Sequence, residues 1–187
     1  MKTNIMKLSI IVTIVIVTVI LLCYDSVSYD ESLIEKQIAA DWDLSKVQIR
    51  NTKDLDNMRV IVFTDSKNNI GRGILFRNAI GRYKIDMIGI GTSYLFRCTV
   101  FRICEKNYLF LVGKNEGNIT NAVVQITGLD NQDKPIVFDK KVKIPDEEYF
   151  VVIKEMNSAY NIEGSFSGAT QFYDKNGKNV TSKLLKY

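Results

Sequence analysis

Arg72, Arg77 and Arg82 recur at intervals of five. Arg77 and Arg82 flank one turn, so on a hairpin their guanidinium groups can be presented together to a carboxylate or phosphate on a ligand or partner. The competing and preferred reading is charge on strand edges, which discourages strand-to-strand aggregation. Acids cluster at Asp41 with Asp43, at Asp54 with Asp56, and at Asp146-Glu147-Glu148. Two carboxylates about 5–9.5 Å apart in a cleft can hydrolyse a glycoside, and the same oxygens suit calcium. None of the clusters has the spacing of an EF-hand loop. Each falls at an expected turn or helix end, where acids satisfy backbone donors anyway.

Histidine is absent. That removes His-based triads, Cys–His dyads and every His metal site. Ser165, Ser167 and Thr170 therefore have no imidazole to activate them. Of the three cysteines, Cys23 lies in an apolar run. Cys98 and Cys104 on one extended strand share a face but stand roughly 20 Å apart, against the ~7 Å a disulfide allows. Two buried thiols are the preferred reading; a bridge requires the chain to fold back between them. Gly89-Ile90-Gly91-Thr92-Ser93 has no helix after it, which a phosphate-cradling loop needs, so a bulge or turn is expected there. Asn118-Ile119-Thr120 and Asn179-Val180-Thr181 fit the glycosylation triplet, a pattern of little weight alone. No catalytic residue, cofactor or metal site emerges.

The elements that must position these residues begin with Leu8 to Tyr24, LSIIVTIVIVTVILLCY, which carries no charge. As a helix rising about 1.5 Å per residue it spans roughly 25 Å, just enough for a bilayer core of about 30 Å. Thr13 and Thr18 can return their hydroxyls to carbonyls of the preceding turn. Lys2 and Lys7 precede the run and Asp25, Asp30 and Glu31 follow it, which places residues 1–7 in the cytoplasm and the rest outside. The preferred reading is an uncleaved, single-pass signal anchor over residues 8–24. The alternative is a signal peptide cut after Ser28, with Ser26 and Ser28 at the small-residue positions.

Beyond the run the chain is globular: 46% hydrophobic, 10% aromatic and 25% charged. A net charge of +4, scattered among acids, leaves no nucleic-acid footprint. Asp30 to Trp42 reads as a short helix with Ile34, Ile38 and Trp42 on one stripe covering a sheet, and with Ser28/Glu31 or Ser32/Glu35 as a capping box. Strands follow at 47–49, 59–64, 73–77 and 82–88, joined by short polar turns, hence an antiparallel meander. Residues 25–104 are expected as this small α+β unit. Tyr94 to Cys104 is one long strand, with Tyr108 to Val112 its partner across a turn. Residues 105–187 show short alternating strands separated by turn signals such as Asn176-Gly177, which suggests an immunoglobulin-like β-sandwich. A single continuous β-rich domain is the alternative. The fold class is thus mainly β with one short helix behind a transmembrane helix.

The Lys-flanked apolar run, RVIVFTDSKNNIGRG, GRYKIDMIGIGTSYLF and YFVVIKE together resemble small single-span membrane proteins of Gram-positive bacteria that carry no assigned activity. The resemblance implies an envelope location and no functional residue. The expectation is a non-catalytic, membrane-anchored extracytoplasmic protein with a binding or accessory role, taking a protein or wall polymer as partner. A carboxylate-dependent envelope enzyme acting on glycan, or a regulatory accessory subunit of a larger membrane protein, are the alternatives.

Overall fold

The computed structural model describes residues 2–24, 26–91, 95–103, 106–116, 118–130, 134–156, 160–161 and 167–184. Asp25, Thr92-Ser93-Tyr94, Cys104, Glu105, the turn signal Asn131 to Asp133, Ser165 and Phe166 lie outside them. The protein is mainly β, with two α-helices and antiparallel sheets throughout.

Helix α1 runs over Lys2–Tyr24, 23 residues. Its side chains are described at 7 and 9–20, and they are exposed. Thr13 and Thr18 donate their hydroxyls to the carbonyls of Ser9 and Ile14 at 2.9 and 2.8 Å, the back-bonding that lets a threonine sit in an apolar helix. Among the described residues no helix is long and apolar enough to cross a membrane.

Helix α2, Glu31–Asp41, buries Ile34 and Ile38. Its cap is neither serine: Asp30 accepts from the Ser32 and Leu33 amides. Glu35 is used elsewhere, accepting the Ile49 amide at 2.7 Å. Trp42 does not join the apolar stripe. The helix ends at Asp41, Trp42 leaves helical geometry, and its side chain is about half exposed, at 46%.

The first sheet is β1 (Val47–Leu55), β2 (Met58–Asp65), β3 (Ile70–Arg77) and β4 (Tyr83–Gly91), in that order. Its turns use positive φ at Asp56, Asn68 and Gly81, where Asx residues and glycine are tolerated. Side chains alternate across a strand. Ile61, Phe63 and Leu75 therefore pack under α2 with Ile34 and Ile38, while Val60, Val62, Ile70 and Ile74 face the opposite way. That opposite face meets a second sheet of β5 (Phe96–Ile103), β6 (Lys106–Lys114) and β9 (Tyr149–Met156), ordered β5-β6-β9. Every residue of β6 from Asn107 to Gly113 is buried, as expected of a strand covered on both faces.

The third sheet centres on β7 (Ile119–Asp130), paired with β8 (Pro135–Lys143) on one edge and with β11 (Ser167–Asp174) and the short β10 (Tyr160–Asn161) on the other. Phe172 of β11 is fully buried and reaches the second sheet. Its ring centroid lies 4.7 Å from that of Phe96 and 6.3 Å from that of Phe150. The protein is thus layered: α2, first sheet, second sheet, third sheet. The division expected at 104/105 falls between β5 and β6, which pair in register from Phe96↔Gly113 to Ile103↔Lys106. One cluster of buried residues includes Val62 and Ile74 from before that point and Phe110, Val124 and Phe172 from after it.

Gly89 and Gly91 are corrected as well. They form no turn but sit in β4, paired with Arg72 and Ile70; the irregularity of that pairing lies at Ile74/Leu75.

The segment between the helices is stitched into the first sheet. Val27 and Tyr83 exchange backbone hydrogen bonds at 2.8 Å. The Tyr29 ring stacks on the Arg59 guanidinium, 3.8 Å from centroid to Cζ, and Arg59 also binds the Asp54 carboxylate.

Candidate functional site

Strand β3 alternates Ile70, Arg72 and Ile74 on the face turned to the second sheet. The isoleucines belong there. Arg72 is the exception, 5% exposed. Its Nη1 donates to Thr99 Oγ1, and its guanidinium carbon lies 4.7 Å from the centre of the Phe101 ring. Its Nε is buried and finds no partner. An unpaired buried donor costs about 1–3 kcal/mol, more when it carries charge, so this is an expensive arrangement to keep.

Thr99 and Phe101 belong to β5, and two-residue alternation puts Arg97 on the same face. Opposite them on the first sheet is β4, where Gly89 pairs with Arg72. A Cβ at Gly89 would stand 3.5 Å from Arg72 Nη2 and 3.5 Å from Arg97 Nη2. One at Gly91 would stand 2.8 Å from Arg97 Nη1. The glycines therefore form a bare floor over which two guanidinium groups converge. A single small group resting near Gly89 touches both.

Among the described residues neither cation has a carboxylate partner; the ion pairs are Arg59–Asp54, Lys106–Glu155 and Lys114–Glu116. Burial, and secondarily the charge of Arg97, pushes the Arg72 pKa down to about 10. Burial also holds Arg97 below the ordinary arginine range. Guanidinium groups stay protonated at neutral pH, so the site carries positive charge. The arrangement can bind an anion. Among the described residues no thiol or carboxylate stands beside the cations: Cys98 is on the opposite face of β5, and burial pushes it up to about 11.

Of the arginines singled out from sequence, only Arg72 enters this site, and it is not an edge charge. Arg77 and Arg82 do not make a joint pair. Arg82 donates Nε to the Ser26 carbonyl and hydroxyl at 3.1 Å, with Nη2 on the same carbonyl. Arg77 is exposed, its guanidinium beside Gly81. Arg97 and the two glycines were the residues missed. Their signal was an arginine inside an otherwise apolar strand opposite a Gly-x-Gly.

The acids remain apart in role. Asp41 accepts from Gln37 along α2, Asp43 and Asp56 hold positive φ in turns, and Asp54 is engaged by Arg59. Glu147 and Glu148 line one rim of an open cleft of about 400 Å³ with Arg50, Asn51 and Tyr149. Both glutamates are exposed, and Glu147 accepts from Asn51 Nδ2. Among the described residues no group of three or more Cys, Asp or Glu side chains is placed to hold a metal. Cys98 is a free thiol. No protein-family model matches the chain, and neither the curated proteins nor the solved structures return a match.

Proposed function

We propose that this chain is a non-catalytic, membrane-anchored extracytoplasmic protein, whose sheet-rich body binds a protein or wall-polymer partner at the cell envelope. The anchor in this reading is α1. Counted over its whole 23-residue backbone, and not only over the side chains described at 7 and 9–20, it would span roughly 34 Å against a bilayer core of about 30 Å. Its described aliphatic side chains, Ile10 to Ile20, are exposed along the whole run, which is costly in water and favourable in lipid. The same reading takes the sheets β5-β6-β9 and β8-β7-β11 as the two halves of an immunoglobulin-like sandwich, supported by the Phe96, Phe150 and Phe172 contacts between them.

The observation that carries the proposal is the junction. Ser26 is buried, receives the Arg82 guanidinium and is followed by Val27 bridged to Tyr83. Cleavage after Ser28 would strip these residues from β4 and leave the Tyr83 amide and carbonyl without their strand partner. An uncleaved anchor keeps the body fixed a few residues from the end of α1. The test is the mass of the protein together with its fractionation. The expected result is the intact 21.3 kDa chain in the membrane fraction, extracted by detergent and not by high salt or carbonate. Intact, soluble protein in the cytosol would sink the proposal. Crosslinking in cells, with the body exposed to an impermeant reagent, then tests the partner.

A further inference from the structure

We propose that Arg72 and Arg97, converging over Gly89 and Gly91 between the first and second sheets, form a binding site for a small oxyanion: the carboxylate, phosphate or sulfate group of a ligand. The inference does not depend on where the protein resides.

Three observations carry it. First, among the described residues the charge is uncompensated. Arg72 is held 95% out of solvent, as its 5% exposure states, with one hydrogen-bond acceptor and an aromatic ring for company, and its Nε is unsatisfied. Cations so placed are normally paired or replaced by apolar residues. Second, the two guanidinium groups share one point. The position above Gly89 is 3.5 Å from an Nη2 of each, so a single oxygen-bearing group there reaches both, with the planar fork geometry that suits oxyanions. Like charges converge in this way at a stability cost that a bound anion would remove. Third, the site lies at the border of both sheets. β4 is the last strand of the first sheet and β5 the last of the second, and beyond β3 the described residues pair with β4 only at Tyr83, through Val27. Arg97, half-buried, sits on the edge strand, with Arg72 one strand further in on β3. A ligand arriving between the two edges meets Arg97 first and Arg72 at the bottom. The glycine floor excludes larger headgroups less than a side chain there would, and any Cβ at Gly91 would force Arg97 aside.

The experiment uses the full chain in detergent micelles. Thermal unfolding is followed against sodium phosphate, sulfate and acetate, with sodium chloride at matched ionic strength as the reference. Wild type is expected to show a saturable rise in Tm for at least one oxyanion, about 5–10 °C at roughly 100-fold over its Kd. The order among the three salts identifies phosphate, sulfate or carboxylate as the preferred group. R97Q removes the accessible cation and is expected to abolish the saturable part; R97K is expected to keep some of it. Sulfate and phosphate also stabilise proteins generally by exclusion from their surface, so the comparison is between wild type and R97Q in the same salt. R72M is expected to lose the anion response too, yet to melt at or above wild type in chloride, because a buried unpaired charge has been replaced by an apolar side chain of similar length. An oxyanion response equal in wild type and R97Q, or none in wild type by either melting or titration calorimetry, would overturn the proposal. Should R72M fail to fold, R97Q and calorimetry decide.

Discussion

Phe172 lies at the far end of the layers from α2, and that makes it the best lever on whether the molecule folds as one unit. Its side chain is fully buried, with aromatic contacts to Phe96 and Phe150 across the interface between the second and third sheets. F172A deletes the ring and leaves a cavity that the sheets on either side can close only in part. Such truncations cost about 3–5 kcal/mol, against a total of about 5–15 for a typical protein. At about 2–4 °C per kcal/mol for a chain of this size, Tm should fall by about 6–20 °C. F172L, which keeps much of the volume, should fall by less and stays folded if the alanine variant does not.

The magnitude is ordinary; where it is felt is the test. Val60 and Val62 of β2 share a buried cluster with Phe110 and Phe172, so the loss should propagate to the first sheet. Two probes read that sheet. Trp42, the one tryptophan, caps α2, and the β2 amides from Val60 to Phe63 report by hydrogen exchange. Both should lose stability by the same amount as circular dichroism of the whole protein, in a single transition. Unchanged protection of β2 beside lost protection of β7 and β11 would refute a shared core and restore a boundary near residue 104.

Further outcomes follow from single contacts. E35A should cost about 1–3 kcal/mol in thermal denaturation, because it leaves the partly buried Ile49 amide without its acceptor; E35Q, which keeps an oxygen, should cost less. The hydrogen bond from Arg59 holds the Asp54 carboxyl below its ordinary value. A depressed folded pKa gives stability that is present above the unfolded value near 3.9 and is lost as pH falls through the folded one. Wild type should therefore exceed D54N at pH 6 and converge with it as pH falls through the lowered folded value; Asp54 is 59% exposed, so the gap should be within about 1 kcal/mol. With its pKa near 11, Cys98 should react with a thiol reagent at pH 7.5 at least ~100-fold more slowly than a free cysteine, and at the free rate once the protein is unfolded.

Helix α2 was legible because Ile34 and Ile38 stand one turn apart, and the turns were legible because Asn68, Gly81 and Gly177 are types that tolerate the positive φ they adopt. The cap was misread because serine and glutamate at the right spacing lay on both sides of the true cap, Asp30. Glu35 looked local and is in fact tertiary. β1 was cut short because Arg50 to Leu55 reads as polar. The pairing with β2 slips at Ile49/Asn51, so the alternation that marks a strand is broken where the strand continues. Arg77 and Arg82 were placed correctly about a turn, but the role of Arg82 depends on Ser26, 56 positions away, and no local pattern carries that.

The arginine pair shows where local reading stops. A charged residue in a strand reads as solvent-facing, since arginine is seldom fully buried, and in a sheet with one wet face that inference holds. Here the first sheet has α2 on one side and the second sheet on the other, so neither face of β3 is wet and Arg72 has nowhere exposed to point. Burial of the charge follows from layering, which in turn follows from the apolar content of β2 and β6. Two features then decide between a tolerated accident and a site. A charge buried by accident acquires an acid in contact or drifts to an apolar residue, since the penalty falls on every molecule in the folded state. Among the described residues Arg72 has done neither: β5, facing it, supplies a second arginine, and β4, beside it, two glycines in place of a carboxylate. That combination destabilises the empty protein and favours an anion-loaded one, which is the thermodynamic signature of a ligand the folded protein is built to hold.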